Sequence, residues 1–115
     1  MATIRATERP REMSGNETTY SRILMLKRNA GLIRRFDYEA VKLRLADNTF
    51  FTPDFRVILV DGTEEFHEVK GRKGDGPYIK EDAWLKLKIA AETHPYRFMV
   101  VWPMKEGNQW GSREV

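Results

Sequence analysis

Asp54, Glu68 and Lys70 are the residues of this chain whose types and spacing could do chemistry. Pro53-Asp54 precedes, and Glu68-Val69-Lys70 ends, a stretch that reads as a tight β-hairpin turning at Asp61-Gly62. Side chains alternate faces along a strand, so Glu68 and Lys70 share one face while Val69 points to the other. Whether Asp54 joins them depends on register, because residues directly opposite in an antiparallel pair share a face. A two-residue loop at Asp61-Gly62 pairs Asp54 with Val69 and separates it from Glu68. A three-residue loop, Val60-Asp61-Gly62, in which a type I turn is closed by Gly62 in a left-handed bulge, sets Leu59 opposite Thr63 and Asp54 opposite Glu68. The two carboxylates then have Cβ atoms about 5 Å apart.

Two carboxylates that close repel, and one takes up a proton near neutral pH unless a cation lies between them. Oxygen-only ligands in a chain without cysteine favour Mg²⁺ or Mn²⁺ over zinc. A hard divalent ion on Asp54 and Glu68 could polarise a phosphodiester and acidify a bound water, with Lys70 positioning that water or neutralising charge in the transition state. The reaction class is then phosphodiester hydrolysis. Taken singly, the same residues read more plainly: Asp54 starts a strand after proline, and Glu68 and Lys70 make a surface ion pair of little value. Acid, hairpin, then acid, apolar, lysine and glycine in one string favours the site.

Thr52-Pro53-Asp54-Phe55 followed by His67-Glu68-Val69-Lys70-Gly71 resembles the PD-(D/E)XK nuclease superfamily, and the stretch from Leu43 to Phe55 resembles small phage-encoded members. The likeness spans about residues 14 to 103. It implies an α/β fold with a restriction-endonuclease-like core, a mixed central β-sheet flanked by helices. It implies metal held by Asp54, Glu68 and the carbonyl of Val69, with Lys70 assisting the attacking water. It also implies a further glutamate on a helix before the sheet, which Glu17 matches. By its own sequence context, Ser14-Gly15-Asn16-Glu17 is a capping box in which Glu17 reaches back to the cap backbone, so cap and ligand both stand as roles for it. Superfamily members include restriction endonucleases, mismatch nickases and Holliday-junction resolvases. The expectation is a Mg²⁺- or Mn²⁺-dependent endodeoxyribonuclease selective for DNA structure, branched or Holliday-junction DNA above all, in phage DNA processing. A homodimer is expected because cutting two strands needs two sites. The alternatives are a nicking enzyme or exonuclease of the same fold, or a non-catalytic module that binds nucleic acid or a host protein. Pure binding has no use for clustered acids where phosphates must approach.

Composition agrees with one small domain: 115 residues, 41% of them hydrophobic, with 3 Trp, 4 Tyr and 6 Phe, can bury a single core. The expected organisation is a flexible arm over 1–13, a nuclease domain over 14–103 and a tail over 104–115. Without cysteine there are no disulfides. No apolar run reaches the length of a membrane span and Met1-Ala2-Thr3-Ile4-Arg5 lacks a signal-like apolar region, so a cytoplasmic location is expected, that of the host if the chain is phage-encoded. A net charge of +3 suits a nucleic-acid partner without establishing one. Arg72, Lys73, Lys86 and Lys88 are the candidate nucleic-acid contacts. No helix-turn-helix or zinc finger is legible, which favours recognition of shape over sequence.

The elements that must position these residues follow from periodicity. A helix is predicted from Glu17 to about Asn29 and ends at Gly31. Strands are predicted near Ile33 to Tyr38, Val41 to Leu45, Phe50 to Val60 and Glu64 to Lys70, forming a meander of hairpins with turns at Asp47-Asn48 and Asp61-Gly62. Gly71 to Pro77 reads as a mobile loop, either a lid or DNA contact or an ordinary connector. Asp82 to Thr93 reads as a helix ended by His94-Pro95, in which Lys86 and Lys88 either pair with Asp82 and Glu92 or meet phosphates. Tyr96 to Trp102 reads as a buried strand completing the sheet. His67 is turned to the face opposite Glu68, where a packed or hydrogen-bonded imidazole fits, and His94 sits at a helix end favoured by the dipole. Trp102 reads as core and Trp110 as part of a polar tail.

Overall fold

The computed structural model describes residues 3–5, 12–106 and 108–115, with side chains from residue 12 onward. The first helix, α1 (Gly15–Asn29), starts at a complete capping box: the Ser14 hydroxyl accepts the Glu17 N–H at 3.3 Å and the Glu17 carboxylate accepts the Ser14 N–H at 2.8 Å. It stops at Gly31, whose φ of 76° few other residues adopt, with Leu32 N–H donating to the Lys27 carbonyl and Gly31 N–H to that of Arg28, a Schellman ending.

The strands are β1 (Thr3–Arg5), β2 (Ile33–Tyr38), β3 (Val41–Ala46), β4 (Thr49–Phe51), β5 (Phe55–Leu59), β6 (Glu64–Val69), β7 (Arg72–Lys73), β8 (Gly76–Pro77), β9 (Arg97–Pro103) and β10 (Trp110–Glu114), and a second helix, α2 (Glu81–Thr93), joins β8 to β9. Five strands form the central sheet in the order β10-β9-β6-β5-β2, antiparallel except for the parallel pair β6 and β9 that α2 bridges. The fold is therefore α/β, with a mixed central sheet and two helices. A smaller sheet, β1-β3-β4, and the β7-β8 hairpin complete it.

Alternation along the strands builds two cores. On one face Phe55, Val57, Val69 and Val101 meet Tyr20 and Leu24 of α1. On the other, Phe66 and Phe98 meet Val41, Leu43 and Leu45 of β3 and Ala90 of α2, while Leu87 packs with Val100 and Trp102. Phe55 and Phe66 are fully buried on opposite sides, each contributing about 2–3 kcal/mol of apolar burial.

Several expectations are corrected. Phe50 to Val60 is not one strand: it breaks at Thr52-Pro53, with β4 in the smaller sheet and β5 in the central one. Proline has no N–H for a ladder, so the chain changes sheets there, immediately before Asp54. The meander does not form, because β2 pairs with β5 and not with β3. The expected tail contains β10, which pairs along β9 and brings the Trp110 ring within 5.0 Å of that of Tyr20, centroid to centroid. Gly111 is required in that strand, since a Cβ there would lie 2.4 Å from the Trp102 side chain. Within the expected arm, Thr3–Arg5 adds a strand to β3, while residues 1–2 and 6–11 lie outside the described residues. Gly71 to Pro77 is a short hairpin, and neither Asp82–Lys86 nor Lys88–Glu92 is among the ion pairs of the described residues. Among the described residues no helix is long and apolar enough to cross a membrane.

Candidate active site

The β5-β6 turn has three residues. Gly62 N–H donates to the Leu59 carbonyl at 3.0 Å, Leu59 N–H donates to that of Thr63 at 2.8 Å, and Gly62 has φ 90°. Asp61 braces it by accepting the Thr63 N–H at 2.9 Å. Phe55 then pairs with His67 and Arg56 with Phe66, and one step further along the same register Asp54 stands opposite Glu68.

The backbone makes Asp54 the hub. Its Oδ2 accepts the Val69 N–H at 2.8 Å and its own N–H donates to Glu68 Oε1 at 3.1 Å, so each acid caps the strand end that carries the other. Its carbonyl accepts the Glu39 N–H at 2.8 Å. Glu39 sits in the left-handed region at φ 46°, a conformation costing a non-glycine residue about 1–2 kcal/mol. The β2-β3 connection thus spends strain where it fixes Asp54. Lys70 Nζ lies 3.4 Å from Glu68 Oε2.

Glu17 is the capping residue and also lies against Asp54. Its Oε1 accepts the Ser14 N–H and also the Tyr38 hydroxyl at 3.1 Å, and its carboxyl is hydrogen-bonded to that of Asp54. A hydrogen bond between two carboxyls needs one proton between them. Burial pushes the Asp54 carboxyl up, to about 9, helped by the charge of Glu68 and the bond to Glu17 and opposed by the Val69 N–H. Burial also raises Glu68, opposed first by Lys70. Glu17 and Asp54 are each only 4% exposed, so water does little to relieve the crowding.

Among the described residues Lys70 is the cation against these acids. Buried Glu17 and Asp54 and the largely buried Glu68 offer hard oxygen donors, which suit a divalent Mg²⁺ or Mn²⁺ ion. Among the described residues no group of three or more acid, histidine or cysteine side chains is arranged to hold a metal, because the carboxyls are turned onto one another and onto backbone N–H groups. The fit therefore rests on the pair Asp54 and Glu68, on the hairpin's facing strands, with Glu17 behind Asp54.

The structure brings Glu17, Asp54, Glu68 and Lys70 together. Arg72 and Lys73 follow on β7, exposed, and Lys86 and Lys88 are exposed on α2. Tyr38 and Glu39 were missed in the sequence, because the pairing of β2 with β5 that brings them to Asp54 leaves no local signal.

His67 points to the other face, as alternation requires. Its Nε2–H donates to Glu65 Oε1 at 2.9 Å, a carboxylate being acceptor only, and its Nδ1 is hydrogen-bonded to the Tyr20 hydroxyl at 2.6 Å. Glu65 Oε2 accepts from Arg97 at 2.8 Å, and Arg97 also reaches Glu114 at 3.0 Å. The hydrogen bond from His67 leads in holding Glu65 below its ordinary range. His94 closes α2 and donates from Nε2 to the Arg44 carbonyl at 2.9 Å.

Compared with family models, curated proteins and solved structures, the chain gave no match.

Proposed function

We propose that the protein is a Mg²⁺- or Mn²⁺-dependent DNA endonuclease with a restriction-endonuclease-like core, hydrolysing phosphodiester bonds at Asp54, Glu68 and Lys70 with Glu17 in support. The observation that carries this reading is the meeting of Asp54 and Glu68 across one hairpin, with Asp54 buried and Lys70 against Glu68. When bound, the divalent ion supplies charge neutralisation and an acidified water. Asp54, Glu68 and the carbonyl of Val69, the residue between Glu68 and Lys70, would hold it. Lys70 orients the attacking water and offsets the charge that builds on the phosphoryl oxygens. Glu17, hydrogen-bonded to Asp54, would take up the proton that Asp54 must lose to serve as a ligand. Branched DNA, including four-way junctions of the kind phage replication leaves, is the proposed substrate, and a homodimer the proposed assembly for cutting both strands. A second reading, a nuclease-shaped module that binds without cutting, is favoured by the carboxyls being satisfied internally.

The test is cleavage of supercoiled plasmid and of a four-way junction with Mg²⁺ or Mn²⁺. Wild type should cut, and Asp54→Ala and Lys70→Ala should each lower the rate by at least about 100-fold while still binding DNA. Binding without cleavage by the wild type under both metals would replace the catalytic reading with the second one.

A further inference from the structure

The β7-β8 hairpin begins one residue after Lys70 and carries an exposed aromatic ring. Arg72 pairs with Pro77 and Lys73 with Gly76 around a two-residue loop whose first member, Gly74, has φ 62°, as a type II′ turn requires. Tyr78 N–H donates to the Gly71 carbonyl at 2.7 Å, which extends the pairing one step and sets Tyr78 opposite Gly71. Ile79, next along, is packed against the core around Leu87, Val100 and Trp102, so the strand leading to Tyr78 is anchored while Tyr78 itself remains 48% exposed.

Alternation decides what surrounds that ring. Gly71, opposite Tyr78, and Gly76, two residues before it, share its face, as does Lys73 across from Gly76. The two glycines present no side chain, and a Cβ at either would meet nothing within 4 Å. Lys73 Nζ stands 5.6 Å from the Tyr78 ring centroid. The result is an open, flat-floored slot with one aromatic wall, over whose ring the Lys73 ammonium lies. Charge is concentrated here too: between residues 70 and 88 six lysines and arginines face three acids, a formal +3 equal to that of the whole chain.

We infer that this slot takes an unpaired nucleotide of DNA, its base stacked on Tyr78 and its phosphate drawn by Lys73. The inference rests on the nuclease reading for the identity of the polymer and adds the substrate class: DNA with an unpaired base next to the bond that is cut. Gly71 adjoins Lys70, and Tyr78 lies across a strand pair from Gly71, about 5 Å between Cα atoms. The stacked base is therefore within one or two nucleotides of the reacting phosphate. A fully paired duplex offers only base edges and cannot use the ring, whereas a flap or junction offers a free face.

Fluorescence anisotropy in EDTA separates this from cleavage, using a duplex with a single-stranded flap and a blunt duplex of the same length. Tyr78→Ala should weaken flap binding about tenfold and leave blunt binding within about twofold. Tyr78→Phe should bind as wild type, and Gly76→Val, which fills the floor at a position with ordinary backbone angles, should reproduce the loss. Equal weakening on both DNAs, no weakening on either, or an inert Gly76→Val would overturn the slot. The two readings fail separately. If wild type does not cut with Mg²⁺ yet shows this pattern, the slot stands and the nuclease reading falls. If cutting depends on Asp54 while Tyr78→Ala binds the flap normally, only the slot falls.

Discussion

Two sets of titratable groups meet β6 around side chains that alternate along it, and they are balanced differently. Around Glu65 and His67, Tyr20 and Arg97 complete a chain in which each donor finds an acceptor and the glutamate finds a guanidinium, and Glu65 is held below its ordinary range. Around Glu68 stand Asp54, Lys70 and, from the start of α1, Glu17, and Asp54 and Glu68 are pushed up. Both sets are hydrogen-bonded, so hydrogen bonding is not the difference. The difference is in the shifts: Glu65 is held toward its anion, whereas Asp54 and Glu68 are pushed toward the neutral acid. On the nuclease reading proposed above, it is the second set that would take a cation.

Breaking the closed set should cost the most stability. Glu65→Ala strands His67 and one end of Arg97, and removing one partner of a buried pair costs roughly 3–5 kcal/mol. Because the Arg97 side chain is 49% exposed and keeps Glu114, the lower end, about 3 kcal/mol, is expected. Urea unfolding should show a lower midpoint with an unchanged slope. A loss below about 1 kcal/mol would mean that the chain is ornamental and that the contrast with the acidic set is false.

The acidic set should respond to pH in the opposite sense from an ordinary carboxylate. Asp54 is raised from 3.8 to about 9 in the folded protein, so the stability supplied by its neutral form is present in full below about pH 4 and is lost as pH climbs to about 9. Asp54→Asn keeps an acceptor for the Val69 N–H and gives Glu17 an amide donor in place of the shared proton. The melting temperature of this variant should match wild type at pH 4.5 and exceed it by about 4 °C or more at pH 8.5 in EDTA. Saturating Mg²⁺ should shrink the gap by stabilising wild type alone. A gap independent of pH would show that Asp54 is no more stressed than Glu65.

What could be read from the sequence was what short-range rules govern. The capping box at Ser14 and Glu17, the Gly31 stop and the three-residue turn at Val60-Asp61-Gly62 are each fixed within a few residues, and all three occur. That turn alone decides that Asp54 faces Glu68. What failed was long-range pairing. Phe50 to Val60 is continuous in β-formers, and only the recruitment of β5 by β2, from residues three elements back, shows why the chain divides at Pro53. Trp110–Glu114 has no alternating pattern because β10 is an edge strand with three of its five residues exposed, so it looked like a tail. Glu65 and Arg97 are 32 residues apart and meet only through the parallel pairing of β6 with β9, which no local pattern announces.

The finest cut through the comparison is at Glu17, which belongs to a helix cap and to the acidic set at once. Ser14→Ala removes the hydroxyl that accepts the Glu17 N–H and should cost about 1 kcal/mol, with DNA cleavage at a temperature well below unfolding kept within about twofold. Glu17→Gln should do the reverse. Glutamine serves at the third position of a capping box, so stability should stay within about 0.5 kcal/mol, but the proton shared with Asp54 is gone and cleavage should fall about 10–100-fold. If both variants lose stability and neither loses cleavage, Glu17 is a cap that happens to lie near Asp54, and the reactive set contracts to Asp54, Glu68 and Lys70. If the two losses separate as expected, the helix start is part of the chemistry, and α1 is held in place by Tyr20 and His67 so that Glu17 can reach Asp54.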